Sequence, residues 1–267
     1  MIRDITIGQY YKADSVIHRL DPRVKLMGTL IFIISLFMGM NIWIYAVVTV
    51  ALAVVIKMSR IPLKFMVRGL KSIVILIIIS AVFNLFLTPG DVLIQIWKLT
   101  ITYQGLKMAI FMVVRLIYLI VGTSLMTLTT TPNNLTDGLE KGLGFLKVIK
   151  VPVPEIAMMM SIALRFIPIL IEETDKIMKA QMARGADFEN GSLIKRAKAM
   201  VPILVPLFVS AFRRANELAM AMEARCYHGS EGRTKMKPLK YEKRDRIAYI
   251  SMVLYLGVII IVKIIAA

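Results

Sequence analysis

Apolar residues fall along this chain in long unbroken runs rather than at alternating positions. Five runs stand out: Val24 to about Met40, Ile42 to Ile56, Ile73 to Leu87, about Leu106 to Leu128, and Ile247 to Ile265. Each approaches the roughly 17–25 residues of apolar helix that cross a bilayer, so the pattern predicts five transmembrane helices. Polar punctuation separates them. Asp21-Pro22 supplies an N-cap and a first-turn proline before the first run. Asn41 marks a tight turn, the stretch Lys57–Lys71 reads as a basic loop, and Thr88-Pro89-Gly90 opens a loop that leads to the fourth run.

The segment between the fourth and fifth runs follows a different pattern. Prolines and glycines cut it into about three helices. Pro132 opens the first, with Leu135, Leu139, Leu143 and Leu146 as its apolar stripe. The second is predicted from Pro154 to Arg184, stopped by Gly185 as a C′ residue. The third is predicted from about Leu193 to Tyr227, kinked near its start by Pro202 and Pro206. Each of the last two begins apolar, over 156–171 and 199–212, and turns charged and amphipathic. Their apolar starts are short for spans, and the first holds Arg165, which is expensive in lipid. They are therefore read as helices lying obliquely beneath the membrane and packed against the spans, with two further short spans as the alternative.

Composition sharpens this picture. The chain is 58% hydrophobic with a mean hydropathy of +0.72, above the usual half-apolar make-up of soluble domains. Its net charge of +17 sits mostly between the apolar runs, which fits a positive-inside topology before it fits nucleic acid. The segment before Leu26 and the Lys57–Lys71 stretch are strongly basic, whereas the turn at Asn41 is uncharged and the 88–105 loop is balanced. The expected arrangement has the N-terminus and residues 129–246 in the cytoplasm and the C-terminus outside. The fold class is thus an all-α membrane protein, divided into a membrane part (1–128), cytoplasmic helices (129–246) and a last transmembrane helix (247–267). Met1 to Lys12 has no apolar stretch of the kind a cleavable signal peptide needs.

Candidate chemistry is sparse. Cys226 is the single cysteine, and His18 and His228 are the only histidines, so neither a disulfide nor a Cys/His metal site can be written. No Walker-type phosphate loop, no His-Glu-x-x-His and no carboxylate within the five runs appears. The expectation is a non-catalytic scaffold without a cofactor. One pattern remains: Ala180-x-x-Ala183-Arg184 returns 41 positions later as Ala221-x-x-Ala224-Arg225. A single arginine at a helix end simply complements the helix dipole, worth about 0.3–1 kcal/mol. Two helices ending in the same Ala-Arg pair suggest two equivalent sockets on a partner with two-fold or pseudo-two-fold symmetry, where the guanidinium forks onto a carboxylate.

The two Ala-Arg-containing tripeptides, Ala183-Arg184-Gly185 and Ala224-Arg225-Cys226, resemble the signature of the T component of energy-coupling factor transporters. The surrounding text is similar too, in Leu164-Arg165-Phe166-Ile167-Pro168, Arg213-Arg214-Ala215 and Ala219-Met220-Ala221-Met222-Glu223. So is the opening, Gly8-Gln9-Tyr10-Tyr11 through Ser15-Val16-Ile17-His18-Arg19-Leu20-Asp21-Pro22-Arg23. The resemblance implies a non-catalytic coupling subunit of an ABC-type importer of vitamins or micronutrients in the cell membrane. Its implied partners are two cytoplasmic ABC ATPases, a substrate-binding membrane S component and membrane lipid, with no nucleic acid. Arg184 and Arg225 would each dock on one ATPase. Cys226 departs from the pattern, standing where the first motif has Gly185; the helix is expected to run on to Gly229 if a positive φ is required there.

The rival readings are the permease of a conventional ABC importer, the T subunit of a dedicated cobalt, nickel or biotin system, and an intramembrane enzyme. Arg115, inside the fourth run, is expected to pair within the bundle. Met158-Met159-Met160 reads as core filler or as an adaptable contact surface. His18 and His228 read as surface residues, and the run from Arg233 to Arg246 as a solvated flank of the last span.

Overall fold

Asp21 opens the first helix as its sequence predicts: its carboxylate accepts a hydrogen bond from the Arg23 amide at 2.9 Å, with Pro22 in the first turn. The computed structural model describes residues 10–71, 73–96, 99–186, 188, 192–229, 236 and 238–265. Gly8, Gln9 and Arg233 lie outside them. The helices α1 (Pro22–Phe37), α2 (Ile42–Ser59), α3 (Leu63–Lys71) and α4 (Val74–Leu87) precede a hairpin of β1 (Val92–Ile96) and β2 (Leu99–Thr102). Then follow α5 (Tyr103–Thr129), α6 (Pro132–Gly142), a short 3-10 turn (Gly144–Ile149), α7 (Val153–Ala183), α8 (Leu193–Glu223) and α9 (Lys243–Ile265). The protein is an all-α membrane protein, and the described residues form two compact units, 10–138 with 239–265, and 139–238.

The first unit is a bundle of α1, α2, α4, α5 and α9, with α3 packed on α5. By length and composition α2, α5, α7 and α9 can each cross a bilayer, as can α3 with α4 if that bent pair is one span. At 16 residues, α1 is about 24 Å long, short of the ~30 Å hydrocarbon core. One buried cluster joins Ile17, Ile61, Met66, Leu125 and Leu128. A second joins Leu36, Ile44, Tyr45, Val48 and Ile259. The bundle is tied at the helix starts by Asp245. This buried carboxylate accepts from the Glu242 amide (2.8 Å), closing the first turn of α9, and from the Asp21 amide (2.9 Å), at the start of α1.

Two expectations are corrected here. The basic stretch 57–71 is not a loop: it holds the end of α2 and the amphipathic helix α3, whose Met66 is fully buried. Leu63, Met66, Val67 and Leu70 recur at helical spacing, so the positive charges lie on a helix that also has an apolar side. The 88–105 loop contains an antiparallel pair, with Ile94 opposite Ile101 and Ile96 opposite Leu99. Its β-branched residues favour that extended backbone. At the hairpin base, Gly105 lets the start of α5 approach the end of α4: a Cβ there would lie 3.0 Å from the carbonyl oxygens of Asn84 and Leu85.

Arg115 is buried in the bundle, as expected of a cation in a span. Its Nε donates to the Tyr45 hydroxyl at 3.0 Å and its guanidinium lies over the Phe37 ring. His18 departs from the surface reading. It is half-buried, with Nε2 3.0 Å from the Tyr11 carbonyl and Nδ1 2.7 Å from the Ser15 hydroxyl.

Candidate functional site

The second unit is built around α7 and α8. Both carry internal prolines, Pro168 in the first and Pro202 and Pro206 in the second. A proline has no amide hydrogen, so Pro206 leaves the Pro202 carbonyl without its helical partner. The Gln181 side-chain amide from α7 donates to that carbonyl at 3.4 Å. A second contact pairs Arg214 with Glu173 at 3.2 Å. As the chain advances from 173 to 181 along α7, its partners recede from 214 to 202 along α8, so the helices are antiparallel where they meet. Glu173 and Arg214 are also 41 positions apart, the spacing of the sequence repeat. Equivalent positions of the two helices therefore touch, as a local two-fold relation requires at its axis.

Both helices end in the same way. At the end of α7, the Gly185 amide donates to the Met182 carbonyl (2.9 Å) and the Ala186 amide to the Gln181 carbonyl (3.0 Å). At the end of α8, the Cys226 amide donates to the Glu223 carbonyl (2.8 Å) and the Tyr227 amide to the Met222 carbonyl (3.1 Å). These are two Schellman caps in register, with Ala183 and Ala224 in the last turn, Arg184 and Arg225 at the cap, and Gly185 and Cys226 at C′. Gly185 has φ 89° and Cys226 has φ 55°. The expected run-on to Gly229 is thus corrected: α8 stops at Glu223, and Cys226 adopts the left-handed conformation that glycine takes in the first motif.

The caps hold both arginines out from the helix ends. Ala183, Arg184, Gly185, Ala224, Arg225 and Cys226 are all exposed, and neither guanidinium has a partner among the described residues. The antiparallel packing places the two caps toward opposite ends of the pair. From Pro202, beside Gln181, α8 runs roughly 35 Å to Arg225 at about 1.5 Å per residue. His228 stands beside the second cap, its Nδ1 2.8 Å from the Cys226 carbonyl. The apolar halves of both helices are exposed as well: Met159, Met160 and Ile167 on α7, and Leu204, Phe208 and Phe212 on α8. Arg165 is exposed among them. Sequence reasoning missed the Gln181–Pro202 bond, whose signal was the Pro-x-x-x-Pro spacing that frees one carbonyl.

A family model described as cobalt transport protein, CbiQ, matches residues 13–236. The energy-coupling factor transporter transmembrane protein EcfT of Clostridium kluyveri is 57% identical over 250 residues, 93% of each chain. The chain belongs to the CbiQ/EcfT family. The EcfT protein of Bacillus subtilis is 47% identical over 254 residues, 95% of this chain and 96% of the relative. That of Lactococcus lactis subsp. cremoris is 41% identical over 254 residues, again 95% and 96%. The matched caps thus sit in a multi-pass membrane protein of the EcfT type.

Proposed function

We propose that this EcfT-type chain is the non-catalytic coupling subunit of an energy-coupling factor importer, and that Arg184 and Arg225 each dock on one of two cytoplasmic ABC ATPases. The observation that carries this reading is the pair of like, exposed arginine caps, without a partner among the described residues, on two helices related by a local two-fold. A two-lobed ATPase pair offers two like sockets. A guanidinium held out from a helix end can fork onto a carboxylate in each, with the neighbouring alanine allowing close approach. Residues 129–246 and the N-terminus then lie in the cytoplasm, with the C-terminus outside.

Movement of the ATPases pulls on both caps. The Glu173–Arg214 contact and the Gln181–Pro202 bond link the two helices, so the pull is transmitted as a change in their crossing. The exposed apolar halves, with Met159 and Met160 as flexible side chains, suit contact with a substrate-binding S component in the membrane. Substrate choice belongs to that component, and uptake of a vitamin or other micronutrient is the activity served.

Purification of the tagged chain from native membranes tests the assembly. One copy with two ATPases and an S component is the expected stoichiometry; two copies of this chain per ATPase pair would favour the conventional permease instead. Native Cys226, exposed and free, should also resist an impermeant thiol reagent added outside intact cells. Labelling from outside would contradict the topology.

A further inference from the structure

The bundle of the first unit forms a half-open cavity of about 510 Å³ between α1, α2, α5 and α9. That lies within the roughly 300–1,000 Å³ of small-molecule sites. Phe32, Leu52, Leu125, Met126 and Met252 form much of its wall, and Ala51 on α2 and Ala248 on α9 leave space in it. Away from its cationic end, the hydroxyls in the wall are already occupied. The Thr29, Thr129 and Ser251 hydroxyls each donate to a carbonyl of their own helix, and the Tyr255 hydroxyl lies 2.7 Å from the Ser35 hydroxyl. Water gains nothing in such a space, because it needs about two to four polar partners.

One end of the cavity is cationic. Lys25 and Arg244 line it where α2 and α5 end and α1 and α9 begin. The Lys25 ammonium donates to the Thr129 carbonyl (2.8 Å) and the His18 carbonyl (3.2 Å), leaving one of its three donors over. Arg244 has one nitrogen on Glu242 at 2.7 Å, but its Nε is shielded from water and has no partner among the described residues. A buried, unpartnered guanidinium nitrogen calls for an acceptor. From Arg244 to Tyr255, at the far end, α9 rises roughly 16 Å at about 1.5 Å per residue. That is about half of the ~30 Å hydrocarbon core, the depth of one leaflet.

We infer that this cavity holds one acyl chain of an anionic glycerophospholipid, with the lipid phosphate on Arg244. The apolar space fits the chain, its length matches one leaflet, and the Arg244 guanidinium supplies a charge-assisted hydrogen bond to a phosphate oxygen. The nearby Lys243 and Arg246 strengthen the attraction for negative headgroups.

The test is titration of the purified, delipidated full chain with dioleoyl phosphatidylglycerol or dioleoyl phosphatidylcholine, read by native mass spectrometry. The expected result is a single tight site with at least tenfold preference for phosphatidylglycerol. Arg244→Gln should erase the preference, whereas Lys240→Gln, which removes a charge outside the cavity wall, should keep it. Ala248→Phe, or Ala51→Leu from α2 if that variant does not fold, should weaken both lipids by tenfold or more. Equal binding of the two lipids by the unaltered chain, a preference that survives Arg244→Gln, equal loss in both charge variants, or tight binding after the cavity is filled would each overturn the assignment.

Discussion

Glu173 and Arg214 stand 41 positions apart in the chain and 3.2 Å apart in space, at the point where α7 and α8 meet. The pair joins equivalent positions of two helices that repeat one design. It therefore marks the local axis about which the two arginine caps are arranged.

If that contact fixes the crossing, reversing either charge alone should impair uptake, and the exchange Glu173→Arg with Arg214→Glu should restore it. The pair is partly exposed, so its contribution to stability is modest, roughly 0.2–1 kcal/mol. The effect should appear in transport more than in thermal stability. Uptake that ignores the single reversals, or that the exchange leaves impaired, would remove the pair from the coupling path.

Cys226 offers a test of the cap itself. An L-residue in the left-handed region pays about 1–2 kcal/mol, of which glycine's greater unfolded-state freedom takes back roughly 0.5–1 kcal/mol. Cys226→Gly should thus stabilise the end of α8 slightly, and Gly185→Ala should destabilise the end of α7 by about 1 kcal/mol. Amide exchange reads both locally, at Tyr227 for the first and Ala186 for the second. Slower exchange at Tyr227 in Cys226→Gly and faster exchange at Ala186 in Gly185→Ala are expected. Unchanged rates would show that the positive φ carries no strain.

These two positions also show what the sequence makes legible. The apolar runs, the Asp21 cap, the Gly185 stop and the repeat of Ala-Arg are all local signals, and the structure places them where the pattern predicts. Cys226 was misread because its conformation comes from the cap's hydrogen bonds, which override a cysteine's own preference. The helix α3 was hidden by its charge, since a basic helix beside a membrane and a basic loop share the same composition. The hairpin was hidden by length, because Val92–Ile96 is short enough to read as loop. The Gln181–Pro202 bond, the Asp21–Asp245 tie and the cavity needed tertiary structure, because their residues are far apart in the chain.

His18 makes the N-terminal segment sensitive to acid. Burial lowers its pKa below the ordinary 6.5, against the opposing effect of the Tyr11 carbonyl, while Lys25 adds repulsion. The folded state therefore favours the neutral imidazole, which donates through Nε2 to Tyr11 and accepts at Nδ1 from Ser15. This stabilisation is complete above 6.5 and declines as the pH falls through 6.5 toward the depressed folded value. The Tyr11 amide, bonded to the Leu128 carbonyl at 2.9 Å, should lose protection between pH 7.5 and 5.5 after correction for intrinsic exchange. His18→Gln should flatten that dependence. A histidine that titrates at or above 6.5 would contradict the prediction.

The central claim is that Arg184 and Arg225 are twin anchors for two ATPases. Each single change to alanine removes one partner of a charge pair, a loss of roughly 2–5 kcal/mol when the pair is buried at an interface. The other cap still holds the assembly, and joint loss removes the avidity of linked sites. Arg→Lys should recover only part of the function, because lysine lacks the planar fork. The decisive measurement is ATPase copurification and uptake for Arg184→Ala, Arg225→Ala and the double variant, each inserted in the membrane at normal levels. The account predicts partial loss in the single variants and near-complete loss of both readouts in the double variant; a double variant that keeps its ATPases and transports at the unaltered rate would reduce both arginines to ordinary helix-end cations.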